Sequence, residues 1–109
     1  MSQAPDEPVV EVRPAPERSR YELFVDGELA GFAECLDEGG GVVALAHTEV
    51  FPAYGGRGLG QRLVGETLRL VRENGNQVRP YCWFVRDYIR RAPEFVELVP
   101  VQDRARFAL

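Results

Sequence analysis

The residues able to do chemistry fall into two groups. The first is the run Tyr54-Gly55-Gly56-Arg57-Gly58-Leu59-Gly60-Gln61-Arg62, where four glycines fall within six residues just ahead of a helical apolar pattern. Glycine weakens a helix, so crowding it here means either a loose turn or a backbone that something approaches closely. A helix N-terminus has unpaired N–H groups and roughly half a positive charge. Glycines leave an anion room to reach those groups. A flexible surface turn is the other reading. Two familiar phosphate loops do not fit. A P-loop ends in Gly-Lys-Ser/Thr, and this chain holds no lysine. A dinucleotide fingerprint follows Gly-x-Gly-x-x-Gly, whereas Gly56, Gly58 and Gly60 stand two apart.

The second group is His47, Cys82 and Tyr88. His47 is the only histidine and is set in an apolar run. One reading is a core imidazole satisfied by a carbonyl; the other is a general base. A lysine-type amine with a pKa of about 10.4 is almost wholly protonated at neutral pH, and a base with a pKa near about 6.5 suits removal of that proton. Glu49, two residues on and on the same strand face, is the alternative base, or else a charge at the strand's solvent edge. Cys82 stands where a strand ends and a helix begins. It reads as a small buried hydrophobe, or as a nucleophile whose thiol a helix N-terminus activates, with His47 as its base. Tyr88 reads as an aromatic residue packed on the sheet. Cys35 fits no chemical pattern and is expected to be structural.

The elements that position these residues follow from periodicity. A chain of 109 residues, 45% hydrophobic and 10% aromatic, suits one globular domain. That domain is expected over residues 9–109, after a disordered acidic, proline-containing tail at 1–8. Val9 to Val12 read as a short strand ended by Arg-Pro-Ala-Pro. Tyr21 to Leu36 read as a hairpin about a type I′ turn at Asp26-Gly27. Val42 to Phe51 are apolar and rich in β-branched residues, which predicts a central strand covered on both faces and ended by Pro52. Gly58 to Asn74 show the helical period, with Arg62–Glu66 and Arg69–Glu73 spaced as i,i+4 pairs and Asn74-Gly75 as the stop. Gln77 to Phe84 form a further strand candidate, and Val85 to Ala92 a short helix stopped by Pro93. Glu94 to Val99 are ambiguous. Strand, helix, strand in that order implies a parallel crossover. The fold class is therefore α+β: a mostly antiparallel mixed sheet with one central crossover helix and a short C-terminal helix.

Composition narrows the function. The net charge of −4 weighs against nucleic acid as a partner. The sequence shows no 18-residue apolar run and no signal-peptide pattern, so a cytoplasmic protein that does not span a membrane is expected. Two cysteines and one histidine make neither a disulfide framework nor a metal site. All thirteen basic residues are arginine, so the chain has no lysine of its own to acylate.

The glycine run resembles the acyl-CoA pyrophosphate loop of the GNAT superfamily of N-acetyltransferases, Q/R-x-x-G-x-G/A. Gly58-Leu59-Gly60 matches its second half, and Gly55 stands where the family has Gln or Arg. The segments His47-Thr48-Glu49-Val50, the glycine loop, and Pro80-Tyr81-Cys82-Trp83-Phe84-Val85 followed by Tyr88-Ile89 and Pro93-Glu94 are similar, in that order, to the small YjdJ-type subgroup, a minimal GNAT domain. Trp83 stands where that subgroup usually has proline. The resemblance covers about Tyr21 to Val99. It implies a GNAT-like fold, acetyl-CoA as co-substrate and an amine acceptor. It also implies cofactor binding by Val50, Gly55, Gly56, Arg57, Gly58, Leu59, Gly60, Gln61 and Arg62, with pantetheine in a splay between the two parallel strands. His47 would be the base, Cys82 an acyl carrier or a lining residue, and Tyr88 the acid for the departing thiolate. Arg90 or Arg91 would meet the 3′-phosphate, or form a solvated face. A non-catalytic CoA-binding module is the alternative. A monomer or weak homodimer is expected.

Overall fold

The computed structural model describes residues 7–109, so nearly all of the expected tail at 1–8 lies outside the described residues. Five strands form one sheet in the order of the chain: β1 (Val10–Ala15), β2 (Arg20–Val25), β3 (Glu28–Asp37), β4 (Val42–Val50) and β5 (Gln77–Pro80). All neighbours are antiparallel except β4 and β5, which are joined by the crossover helix α1 (Leu59–Glu73). A second helix, α2 (Trp83–Arg91), follows β5, and 3-10 turns at Pro93–Leu98 and Val101–Asp103 carry the chain to its end. This is a mixed, mostly antiparallel α+β architecture, consistent with a GNAT-like fold.

The local chemistry explains most of the boundaries. Asp26 and Gly27 have φ of 50° and 82°, the left-handed pair that a type I′ turn requires. Gly75, just past α1, also has a positive φ of 76° and stops the helix. β1 outlasts its expected end at Val12. Pro14 and Ala15 still pair with Tyr21 and Arg20, because β1 is an edge strand and proline is tolerated where one side of the strand is unpaired. On α1, Glu66 pairs with Arg69 three residues on, and Arg62 makes no ion pair among the described residues. The expected Arg62–Glu66 and Arg69–Glu73 pairs are thus replaced by a single shorter-range one.

Both helices pack on the same face of the sheet. Leu59 and Leu63 of α1 close over Leu23, Val25, Ala30 and Ala33. Val64, Leu68 and Val71, with Val85 and Ile89 of α2, close over Val43, Leu45 and Val78. At about 25 cal/mol per Å² of apolar surface, each such side chain contributes on the order of 2 kcal/mol, so α1 is the main clamp on the sheet. Phe107 returns to this core and meets Tyr81 edge-on at 5.4 Å.

The prediction that β4 is covered on both faces holds only for its first half. Val42 to Leu45 are buried, whereas His47 and Glu49 are exposed. The change coincides with a β-bulge. Cys35 pairs with Leu45 and Glu34 with His47, which leaves Ala46 as an extra residue on β4. A second bulge in the β2–β3 ladder falls at Ala30, since Leu23 pairs with Gly31 and Phe24 with Leu29.

Candidate functional site

β4 ends at Val50, and the chain passes through a 3-10 turn at Pro52–Tyr54 and the glycine run into α1. Gly58 caps the helix in the left-handed region, at φ 73°, with no side chain closing the end. The Arg62 N–H donates to the Gly58 carbonyl at 3.3 Å and closes the first turn of α1. The N–H groups of Leu59, Gly60 and Gln61 have no partner among the described residues, and the first turn carries no acidic residue. An alanine at Gly58 would be strained by its φ.

A cleft of about 360 Å³ opens at this helix start. Thr48 and Val50 of β4 form one wall and Phe84 of α2 another. Tyr54, Gly55, Gly56, Gly58, Leu59, Gly60 and Gln61 complete it. Arg57 stands beside it, its guanidinium carbon 5.6 Å from the Tyr54 ring centre. Seven of the nine residues expected at the cofactor thus line one cavity; Arg57 and Arg62 do not, though both are neighbours of lining residues in the chain.

The same cleft lies against a gap in the sheet. The β4–β5 ladder runs from Val42↔Gln77 to Leu45↔Pro80. One further link follows, the Cys82 N–H donating to the Leu45 carbonyl at 3.0 Å. Beyond it β4 continues to Val50 paired with β3 but no longer with β5. The Phe51 N–H donates to the Ala30 carbonyl at 2.8 Å, so main-chain groups of Phe51 and Glu49 face β3. By the two-residue period of a strand, those of Thr48 and Val50 face the gap.

The chemical side chains divide between the two faces of the sheet. Thr48 is on the helix side, and the Cys82 thiol donates to its hydroxyl with Sγ and Oγ1 3.8 Å apart. His47 and Glu49 are on the other side, with Nε2 and Oε1 3.2 Å apart and side chains 57% and 47% exposed. The Phe32 ring lies 5.9 Å from the imidazole. His47 and Cys82 therefore do not form the expected nucleophile–base pair: the bulge at Ala46 turns His47 away from the helices, and the partner of the thiol is Thr48.

Tyr88 lies outside the cleft. A Cβ placed on Gly65 would meet its hydroxyl oxygen at 2.5 Å, and one on Gly60 would meet Phe84 Cζ at 3.1 Å. Two glycines of α1 thus act as sockets for two aromatic residues four apart on α2. Tyr88 borders a separate, smaller cavity with Asp87 and Arg91, on the far side of Phe84. Arg91 pairs with Asp87 at 3.0 Å, and Arg90 reaches the carbonyls of Phe107 and Ala108, each at 3.5 Å. Sequence reasoning passed over Thr48 and Phe84. The signal for Phe84 was Gly60 itself, read only as a phosphate glycine.

The Glu22 carboxylate, buried between Arg18 and Arg20, is held below its ordinary range mainly by the hydrogen bond from Arg18. Burial, with a smaller push from Asp37, raises the Cys35 thiol to about 11. Arg79 ties Glu38 to Asp103, each at 2.8 Å, which fastens the C-terminal turn to β5. Among the described residues, no group of three or more His, Cys, Asp or Glu could hold a metal ion, and no helix is long and apolar enough to cross a membrane.

Comparison with known proteins agrees with this geometry. Residues 20–98 match the family described as GCN5-related N-acetyl-transferase. A 52-residue stretch is 36% identical to Protein NATD1 of Gallus gallus and of Mus musculus, covering 48% of this chain and 47% of each relative. The Homo sapiens protein of the same name is also 36% identical, over 46% of its length. The chain thus spans about half the length of the curated relatives it matches.

Proposed function

We propose that this chain, which belongs to the GCN5-related N-acetyltransferase family, moves an acetyl group from acetyl-CoA to the nitrogen of an amine. The observation that carries the reading is the open start of α1. Three uncapped N–H groups, approached over glycines, close one end of a cleft whose strand wall presents unpaired main chain. In that reading the diphosphate meets the N–H groups of Leu59, Gly60 and Gln61, and Arg57 and Arg62 add positive charge. Gly55, Gly56 and Gly58 permit the close approach. Thr48 and Val50 hydrogen-bond the amide arm, which brings the thioester to the gap beside Cys82.

The acceptor comes from the opposite, uncovered face. His47 stands there and takes the proton that the amine nitrogen sheds as it bonds to the acetyl carbon and the thioester C–S bond breaks. Glu49 accepts from Nε2–H of the imidazole and leaves Nδ1 as the basic atom. Such an arrangement suits direct transfer, with donor and base on opposite sides of the sheet. Tyr88, seated over Gly65, is not assigned the role of acid. The His-Thr-Glu-Val segment supports the YjdJ-type subgroup, and a cytoplasmic setting and a monomer or weak homodimer are further parts of the proposal.

A second reading rests on Gly55, which removes the side chain that the family's motif offers to phosphate: a module that binds acyl-CoA without turning it over. Titration calorimetry with acetyl-CoA, followed by transfer assays over a panel of amines, separates the two. Binding is expected, and R62Q should weaken it about fivefold, an effect of about 1 kcal/mol that fades with added salt. Absence of heat overturns both readings. Binding without transfer to any amine leaves the module.

A further inference from the structure

We infer that Thr48 is a positioning residue for the Cys82 thiol, and that the bulge at Ala46 exists in the fold to bring the two together. With unbroken alternation after Leu45, His47 would be the next side chain on the helix face and Thr48 would point away from it. Ala46 has no partner across β3, so the sequence of faces reverses at that point. Leu45 and Thr48, three residues apart, then share the helix face, opposite Cys35 and Ala33. The cleft receives a hydroxyl where plain alternation would have given it an imidazole.

The thiol is held from two sides. Its main chain is fixed by the Cys82 N–H donating to the Leu45 carbonyl at 3.0 Å, and by the Arg86 N–H donating to the Cys82 carbonyl at 3.1 Å as α2 begins. Its side chain is aimed at Thr48 Oγ1, 3.8 Å away. Thr48 lines the cleft while Cys82 stands just behind it, so the hydroxyl joins the sulfur to the cavity. A hydroxyl is both donor and acceptor and rotates freely. It accepts from the thiol in the neutral form and, turned about its C–O bond, donates to the sulfur in the thiolate form. The second bond is charge-assisted and the stronger of the two. Thr48 therefore keeps the sulfur in one place, aimed at the cleft wall, in both forms. Valine keeps the shape and loses this; serine loses a methyl group and keeps it.

The role is relevant to acetyl transfer only if the acetyltransferase reading holds, but it is tested without acetyl-CoA. Wild type, T48V, T48A and T48S are alkylated with iodoacetamide at neutral pH, and the Cys82 peptide is followed by mass spectrometry. The part-buried Cys35 is followed in the same samples as a gauge of folding. T48V and T48A should slow Cys82 alkylation about tenfold, equivalent to about 1.4 kcal/mol, while T48S stays within about twofold of wild type. Cys35 should keep its wild-type rate throughout. A wild-type Cys82 rate in T48V and T48A, or a rate in T48S as slow as theirs, overturns the positioning role and leaves the acetyltransferase reading standing. Failure of acetyl-CoA to bind does the converse.

Discussion

Replacing Gly65 with alanine tests how α2 is seated on α1. The new Cβ would lie 2.5 Å from the Tyr88 hydroxyl oxygen and 3.2 Å from its ring carbon Cζ. Two effects oppose one another. Alanine in a helix interior is favoured over glycine by about 1 kcal/mol. A carbon forced into filled space costs about 1–3 kcal/mol. Tyr88 must therefore move, and G65A should lose about 1 kcal/mol net. Y88F removes the nearest atom and leaves only the 3.2 Å contact, which a shift of a few tenths of an ångström relieves. In that background G65A should be stabilising by about 0.5–1 kcal/mol, for a coupling of about 1.5–2 kcal/mol between the positions. Urea unfolding followed by far-ultraviolet circular dichroism reads this directly, since with a slope of about 1–3 kcal/mol per molar a loss of 1 kcal/mol moves the midpoint by about 0.3–1 M. A midpoint that rises in G65A with Tyr88 present, or additive single variants, would refute the seating. The same variant addresses chemistry. In the proposed arrangement the thioester lies beside Cys82 while the Tyr88 hydroxyl is seated over Gly65, so Y88F should keep the transfer rate, whereas loss of a proton donor would cost about a hundredfold or more.

Two further expectations concern the titrating side chains. H47Q should leave the affinity for acetyl-CoA unchanged and slow transfer about a hundredfold or more; full turnover of a genuine acceptor by that variant would remove His47 from the base role. For Cys35, burial raises the thiol from 9.0 to about 11, so the fold prefers the neutral form. Its contribution to stability is complete below about 9 and is lost as the pH rises to about 11. The wild-type urea midpoint should fall more steeply across that window than that of C35A, and parallel curves would contradict this.

What could be read in the sequence was whatever depends on neighbours along the chain. The Asp26-Gly27 turn, the limits of α1 and the crossover from β4 to β5 follow from turn chemistry and from a 3.6-residue period sustained over four turns. The glycine run was legible as the lead-in to a helix for the same reason, and Gly58 caps α1 at a positive φ. The bulges were not legible. Ala30 and Ala46 are small residues in apolar runs, and nothing local distinguishes an extra residue from a regular one. That one uncertainty carried over to the faces of His47 and Thr48, because every side chain after a bulge inherits the reversal. Arg62 and Glu66 had suitable spacing, but spacing does not decide between Arg62 and Arg69 as partner. The segment after Pro93 was ambiguous because its 3-10 turns are too short to show a period.

The paired sockets at Gly60 and Gly65 bear on how a molecule would enter the cleft. Phe84 and Tyr88 each fit against a bare stretch of α1, so α2 cannot roll or swing outward without unseating both rings at once. The wall nearest the cavity is thereby bolted at two points before any visitor arrives. On that side of the cavity little ordering is left to be done on arrival, and the cost of settling a molecule against α2 falls accordingly.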